Sequence, residues 1–454
     1  MARRSPHSFL SIIAMLRATL AVVVASFLAT PAIAENWPQW RGPDGNGISR
    51  DANLPVQWSS TAGLVWTTAI PAWGCSTPVI WDNALFLTSQ TEDGALLALR
   101  LDTADGRIVW TREVGRADTV REAEKRSVQK FHRLHNNASP SAVTDGKTVV
   151  FHFGNGDLAA YDFDGQQLWK RNLQDDHGPY SIWWGHANSP VLHGDSVISV
   201  CMQDTLAGTA ATKQALSYLT AHDLATGKPR WMTPRETGAE AEQCDSYTTP
   251  IFHVSGGQLE MIIMGGNQLD AYDPATGKQR WFLPGLVGGR TITGAVVDGD
   301  RVFATRGQRG ELLGVDVGTG RTSAASQSTD RRLPEDAVLF RHKEATPDSC
   351  TPVVVDGRVY TVSDQGIAQC LEAATGKPLW KERIPGDYKA SPLAAPGRVY
   401  FLNTSGLTTV VAVGDEFKKI AENTLEDETL ASPAASAGRL YIRGHDRLYC
   451  IGAK

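Results

Sequence analysis

Little cysteine, no surplus of one charge and no long apolar run after the first 34 residues each remove a class of function from this 454-residue chain. Its six cysteines, Cys75, Cys201, Cys244, Cys350, Cys370 and Cys450, are widely spaced. None forms a C-x-x-C, a C-x-x-C-H or an adjacent pair, so zinc-ribbon, thioredoxin-like and c-type haem chemistry all lack their ligand spacing. Small buried side chains within strands are the plain reading of them; one or two disulfides are the alternative. Lys and Arg number 44 against 49 Asp and Glu, a formal net charge of -5. That balance argues against nucleic acid as a partner, which asks for a basic surface. No Gly-x-Ser-x-Gly elbow marks a hydrolase nucleophile. Apolar residues make up 42% of the chain and charged ones 20%, enough to bury a large core, so wholesale disorder is excluded.

Tryptophan and turn formers are plentiful: 13 Trp, 43 Gly and 23 Pro. They follow a leader of different character. Arg3, Arg4 and Arg17 give a basic start with no acidic residue before Glu35, Ala18 to Ala29 is apolar, and Ala32-Ile33-Ala34 has the form of a cleavage signal. The expectation is a secretory signal peptide over residues 1–34, an extended segment over 35–62 and one domain over 63–454. An uncleaved membrane anchor is the alternative, but the run is short and Pro31 interrupts it, against the roughly 20 residues a span needs. No cysteine lies near the cleavage signal, so the protein is expected in the periplasm or outside the cell, without a lipid anchor or a transmembrane span in the mature chain.

Internal repeats decide the fold. A small residue followed by Pro recurs before apolar runs at Thr77-Pro78, Ser139-Pro140, Ser189-Pro190, Thr249-Pro250, Thr351-Pro352, Ser391-Pro392 and Ser432-Pro433, and Thr293-Gly294 fills the gap. Turns such as Asp145-Gly146, Asp298-Gly299 and Asp356-Gly357 follow, because Gly supplies the positive φ of a tight hairpin. A second turn and a closing aromatic end each unit, most clearly in Ala221-His-Asp-Leu-Ala-Thr-Gly-Lys-Pro-Arg-Trp231 and Ala271-Tyr-Asp-Pro-Ala-Thr-Gly-Lys-Gln-Arg-Trp281. Weaker copies end at Trp110, Trp169 and Trp380; the unit around Asp316 keeps the turn and loses the Trp. Each unit reads as four short strands, about 49 residues, the size of a propeller blade. After Ser432-Pro433 only three strands remain, while Gly63-Leu-Val-Trp66 is an orphan fourth strand at the start. The expectation is an all-β, eight-bladed β-propeller of four-stranded antiparallel blades, its ring closed by an N-terminal strand that completes the C-terminal blade. A parallel β-helix is the rival fold. Residues 41–54, rich in Gly and Asp, either lie along the ring or reach across its pore.

The A-x-D-x-x-T-G-K-x-x-W string resembles the tryptophan-docking motif of the quinoprotein-type (PQQ-like) β-propeller repeat. The opening Asn36-Trp-Pro-Gln-Trp-Arg-Gly42 is similar to the start of many secreted PQQ-repeat proteins. The resemblance covers nearly all of the chain after the leader. It implies a structural docking role for Trp66, Trp110, Trp169, Trp231, Trp281 and Trp380, each ring burying some 150–250 Å². Two kinds of protein carry eight such blades: PQQ-dependent alcohol dehydrogenases, and the non-catalytic outer-membrane assembly factor BamB with its relatives. The dehydrogenases resemble one another in an adjacent cysteine pair beside the quinone, which this chain lacks, and their calcium constellation has no counterpart traceable in it. The resemblance therefore implies an exported binding or scaffold protein with no cofactor, for a protein, peptide or glycan partner in the cell envelope. A quinoprotein alcohol dehydrogenase using PQQ with calcium is the alternative.

The Asp-Gly and Thr-Gly turns share one face, and the longer connections share the other, where function on rigid scaffolds tends to sit. Polar and aromatic residues just ahead of the inner strands are the binding candidates: Trp73, His132, His135, Asn136, Asn137, Trp183, Trp184, His186, Asn188, Tyr247, Arg290 and Lys389. Neutral imidazoles at His132, His135 and His186 would suit zinc or copper, yet His-x-x-His alone is a weak pattern and no metal is expected. Trp183-Trp184 either floors a planar ligand or anchors its loop. The run from Arg112 to Arg133 reads as a solvated insertion or a short amphipathic docking helix.

Overall fold

The computed structural model describes residues 35–117, 132–182, 184–203, 217–306, 310–318 and 331–453. The expected leader over 1–34 and most of the run up to Arg133 lie outside the described residues. The strands form eight four-stranded antiparallel sheets, each a blade of a propeller. Blades one to seven span 79–116, 143–172, 191–234, 251–283, 296–342, 353–383 and 393–424. The last blade joins Ala434–Ser436, Arg439–Arg443 and Arg447–Ile451 to the N-terminal strand Leu64–Ala69, which pairs antiparallel with Arg447–Ile451 and sets Trp66 opposite Cys450. The ring is closed as expected, by a strand from the start of the chain completing the blade at its end.

The closing aromatics explain how neighbouring blades are held. The Trp66 ring lies on Gly106, Trp110 on Gly165, Trp169 on Gly227 and Trp231 on Gly277, each Gly in the last turn of the next blade. A Cβ at Gly227 would lie 2.6 Å from the Trp169 ring, and that residue has φ +67°, so the turn needs Gly twice over. Indole N–H groups donate to the same turns: Trp66 to Thr103 O at 2.9 Å, Trp110 to Phe163 O at 2.9 Å, Trp169 to Leu224 O at 2.8 Å and Trp380 to Gly414 O at 3.2 Å. Blade five substitutes Phe340, whose ring covers Gly376 in the same way. Trp281 departs from the pattern: its N–H donates to Glu260 of its own blade at 2.9 Å.

A small residue faces most of these rings across the strand pair, as with Ala160 and Trp169, Ala221 and Trp231, Gly314 and Phe340, Cys370 and Trp380, while Arg100 stands opposite Trp110. Two cysteines thereby find their use: Cys370 and Cys450 stand where other blades place Ala. All six cysteines are unpaired in disulfides. In blades one to seven a bulge precedes the docking position and bends the outer strand toward the neighbour, although in blade seven that position holds Ala421 and no ring.

Residues 37–49 cross the axis, the second of the two courses open to that segment. Trp37 exchanges backbone bonds with Ile80 of blade one, and Pro38 O accepts from Thr144 of blade two at 2.9 Å. Arg41 reaches the opposite side, donating to Thr351 O at 3.0 Å and to Pro352 O ahead of blade six. Gly47 and Ser49 then pair with Ala394 of blade seven. The plug is dense: Arg41 is 2% exposed, and burial pushes its guanidinium down to about 9. The chain then runs outward, where Trp58 stacks on Tyr400 at 6.4 Å and Asn423 clasps the backbone of Val56 and Trp58. Among the described residues no helix is long and apolar enough to cross a membrane.

Candidate functional site: an axial pit on the loop-rich face

The recurrent small residue ahead of each inner strand forms a belt around the axis. Thr77 N–H donates to Ser141 Oγ at 2.9 Å, Ser141 to Ser189 at 3.0 Å and Ser189 to Thr249 at 3.3 Å. Gly294 offers Thr249 no hydroxyl, so the belt breaks there and resumes from Gly294 N–H to Thr351 at 2.8 Å. It continues from Thr351 to Ser391 at 2.9 Å and from Ser391 to Ser432 at 3.0 Å. This corrects two repeats: in blade two the belt residue is Ser141, not the Ser139 of the Ser-Pro dyad, and in blade five it is Gly294, not Thr293. The sequence Ser139-Pro140-Ser141 offers both registers, and only Ser141 Oγ meets the neighbouring amide.

Side chains two residues apart along an extended chain point to the same side. Two positions before the belt, each of the eight blades sends one side chain to the axis: Cys75, Ser139, Ala187, Tyr247, Ile292, Ser349, Lys389 and Leu430. They floor a pit of about 380 Å³, walled by His132, Leu134, His135, Trp184, Glu242 and Arg290. Six of the sequence candidates thus meet there: His132, His135, Trp184, Tyr247, Arg290 and Lys389.

The other candidates do not line it, for reasons of strand alternation and loop anchoring. Trp73 stacks on His445 at 5.5 Å. Asn136 binds Trp73 O and the Ala138 amide, and Asn137 binds the Gln90 side chain, so both fasten the loop instead of presenting polar atoms. His186, an odd number of residues from the belt, turns into the body, stacked on Tyr180 at 4.9 Å and beside His152 at 4.7 Å. Asn188 donates to Thr248 O at 2.7 Å across the blade boundary. Trp183 lies outside the described residues. His186 therefore does not join His132 and His135, and among the described residues no group of three or more His, Cys, Asp or Glu side chains is arranged to hold a metal.

Ion pairs set the pit's electrostatics. Arg290 donates to Asp348 at 2.7 Å and lies 3.5 Å from Glu242. Lys389 donates to Asp364 and to Ser349 Oγ, the latter at 3.2 Å. Asp364, in the turn after the second strand of blade six, also accepts the Asp348 and Ser349 amides at 3.0 Å. Burial pulls its carboxyl upward, but the Lys389 and Ser349 bonds outweigh that and leave it below the usual carboxylate range. Partial burial lowers His132, nearby Arg133, Lys389 and Arg290 lower it further, and its ring stands against Trp184. Burial holds His135 at about 4 and pushes the Cys75 thiol up to about 12. A neutral imidazole and a protonated thiol make no activated nucleophile.

The model of the family described as outer membrane protein assembly factor BamB matches residues 44–216, 184–326 and 328–416. Among solved structures, BamB from Moraxella catarrhalis aligns at 15% identity over 86% of this chain and 98% of its own, with a TM-score of 0.55. A europium-containing methanol dehydrogenase aligns at 11% identity over 92% and 98%, with a TM-score of 0.63. Quinohemoprotein alcohol dehydrogenase from Comamonas testosteroni aligns at 12% identity over 92% and 80%, with a TM-score of 0.59. At such identities these likenesses concern the fold alone. No curated protein sequence matches the chain. With the family match running through nearly every blade, the chain belongs to the family of outer membrane protein assembly factor BamB.

Proposed function

We propose that this chain is an exported, non-catalytic binding protein that holds a protein, peptide or glycan partner of the cell envelope on its loop-rich face, with the axial pit as the anchor. The observation that carries the reading is the lining of the pit. Apolar and aromatic side chains dominate it, and its two cations are each held by carboxylates, an arrangement suited to recognition. The leader over residues 1–34 supports export, and the plug makes the pit blind, which suits docking better than conduction. The test is capture from the envelope: partner binding lost on Arg290→Glu and Lys389→Glu but kept on a charge change in the short-turn face supports the reading. Binding indifferent to the pit overturns it.

The structural likeness to methanol dehydrogenase raises a second reading, a quinoprotein oxidoreductase. PQQ is a planar polyacid that would arrive with calcium, a cation asking for 6–8 oxygen ligands. Glu242 is the only carboxylate among the described residues lining the pit, and the nearby Asp348 and Asp364 are engaged by Arg290 and Lys389. The donors do not fit that group. Titration with PQQ and calcium is expected to give no quinone absorbance band and no dye-linked alcohol oxidation; either signal would reinstate the enzyme.

A further inference from the structure

Among the described residues, Lys389 is the only charged side chain on the floor of the pit. It has three N–H donors. One goes to Asp364 and one to Ser349 Oγ, which leaves the third. Arg290 stands on the wall, across the Asp348-Ser349 dipeptide that binds both cations. Asp348 is only 17% exposed and Asp364 only 10%, so these acids grip the cations from the flanks and hold them in place. Beside them the floor turns apolar at Tyr247, Ile292 and Leu430. An ammonium and a guanidinium over an apolar floor match one carboxylate attached to an apolar group. They supply too few polar groups for the many hydroxyls of a sugar and too little charge for a polyanion.

We propose that the pit captures the free C-terminus of a peptide, its carboxylate between Lys389 and Arg290 and its apolar last side chain against Tyr247, Ile292 and Leu430. This rests on the reading of the loop-rich face as a binding surface and names what enters it. C-terminal carboxylates are captured elsewhere by fixed N–H donors of the backbone; here side-chain N–H groups would take that part. Glu242, half-exposed and 3.5 Å from Arg290, is the group such a carboxylate would displace.

Calorimetric titration of the full-length protein with N-acetylated tripeptides ending in leucine or phenylalanine, each as free acid and as C-terminal amide, tests this. The acid is expected to bind about 10-fold tighter or more, the scale of one charge-assisted hydrogen bond. Lys389→Met and Arg290→Leu should each shrink that preference and together erase it, and Glu242→Gln, a rim change with little effect on folding, should sharpen it. Melting curves run alongside show that each variant is folded. Equal binding of acid and amide, no binding of either to the folded protein, or a preference that survives in the double variant overturns the proposal. Should envelope capture still depend on the pit while acid and amide bind alike, this inference falls and the broader reading stands; capture indifferent to the pit removes both.

Discussion

Removing the Trp66 ring should open the propeller at its seam. Trp66 is 9% exposed, its N–H donates to Thr103 at 2.9 Å, and its ring lies on Gly106 of blade one. Truncating a buried Trp to Ala costs about 3–5 kcal/mol, and here the loss falls where the two ends of the chain meet. Gly106→Ala is the reciprocal test. Its Cβ would lie 2.4 Å from the Trp66 ring, and its φ of +75° costs Ala a further ~1–2 kcal/mol. In the double variant the ring is gone, so Gly106→Ala should add only that backbone term and the close approach to Thr68 Oγ1, less than it costs beside the intact ring. Urea unfolding of the four proteins, followed by tryptophan fluorescence and circular dichroism, gives the coupling directly. Strictly additive losses, or a Trp66→Ala protein as stable as the parent, would refute the docking account.

Three further expectations follow from the packing. Ser141→Ala leaves the Thr77 amide unsatisfied in the buried belt and should cost roughly 1–3 kcal/mol, whereas Ser139→Ala, which removes local bonds to Asn136 and His135, should cost less; paired denaturation curves decide. Gly47→Ala would place a Cβ 2.6 Å from the Arg41 guanidinium, so the plug should loosen and residues 35–58 should be cleaved faster in limited proteolysis. His152 and His222 are fully buried, and burial holds each at about 4, below the ordinary 6.5. The unfolded chain therefore takes these protons first: the stability they allow is intact above pH 6.5 and falls as pH drops toward 4, by roughly 3 kcal/mol per histidine. His152→Gln should flatten that decline in urea titrations between pH 8 and 5, and an unchanged slope would contradict it.

The parts of this molecule that repeat were legible in its sequence, because the same packing problem is solved in every blade. Trp110, Trp169 and Trp231 could be assigned from the turn that precedes them, and the orphan strand at Trp66 announced ring closure. Phe340 escaped notice because a different aromatic fills the same space over Gly376. The site was half legible. A search for polar residues ahead of the inner strands finds His132, Arg290 and Lys389 but passes over Ala187, Ile292 and Leu430, which carry no chemical signal of their own. Counting two positions back from the belt reaches them, once Gly294 is recognised as the belt residue of blade five. Asp364 lay outside any such search, since it acts on the pit from a turn within blade six. Arg41 belongs mostly to tertiary structure: beside Asn46 O, its acceptors are 310 and 311 residues away.

A photo-crosslinking residue placed at Leu430 on the pit floor, and separately at Lys278 in a short turn of the opposite face, tests the central claim most directly. In the cell envelope the Leu430 probe should trap a partner, a free C-terminal peptide should compete it away, and Lys389→Glu should abolish the product, while the Lys278 probe traps none of it. The same product from both positions, or one from Leu430 that survives Lys389→Glu, would contradict the assignment of binding to the axial pit.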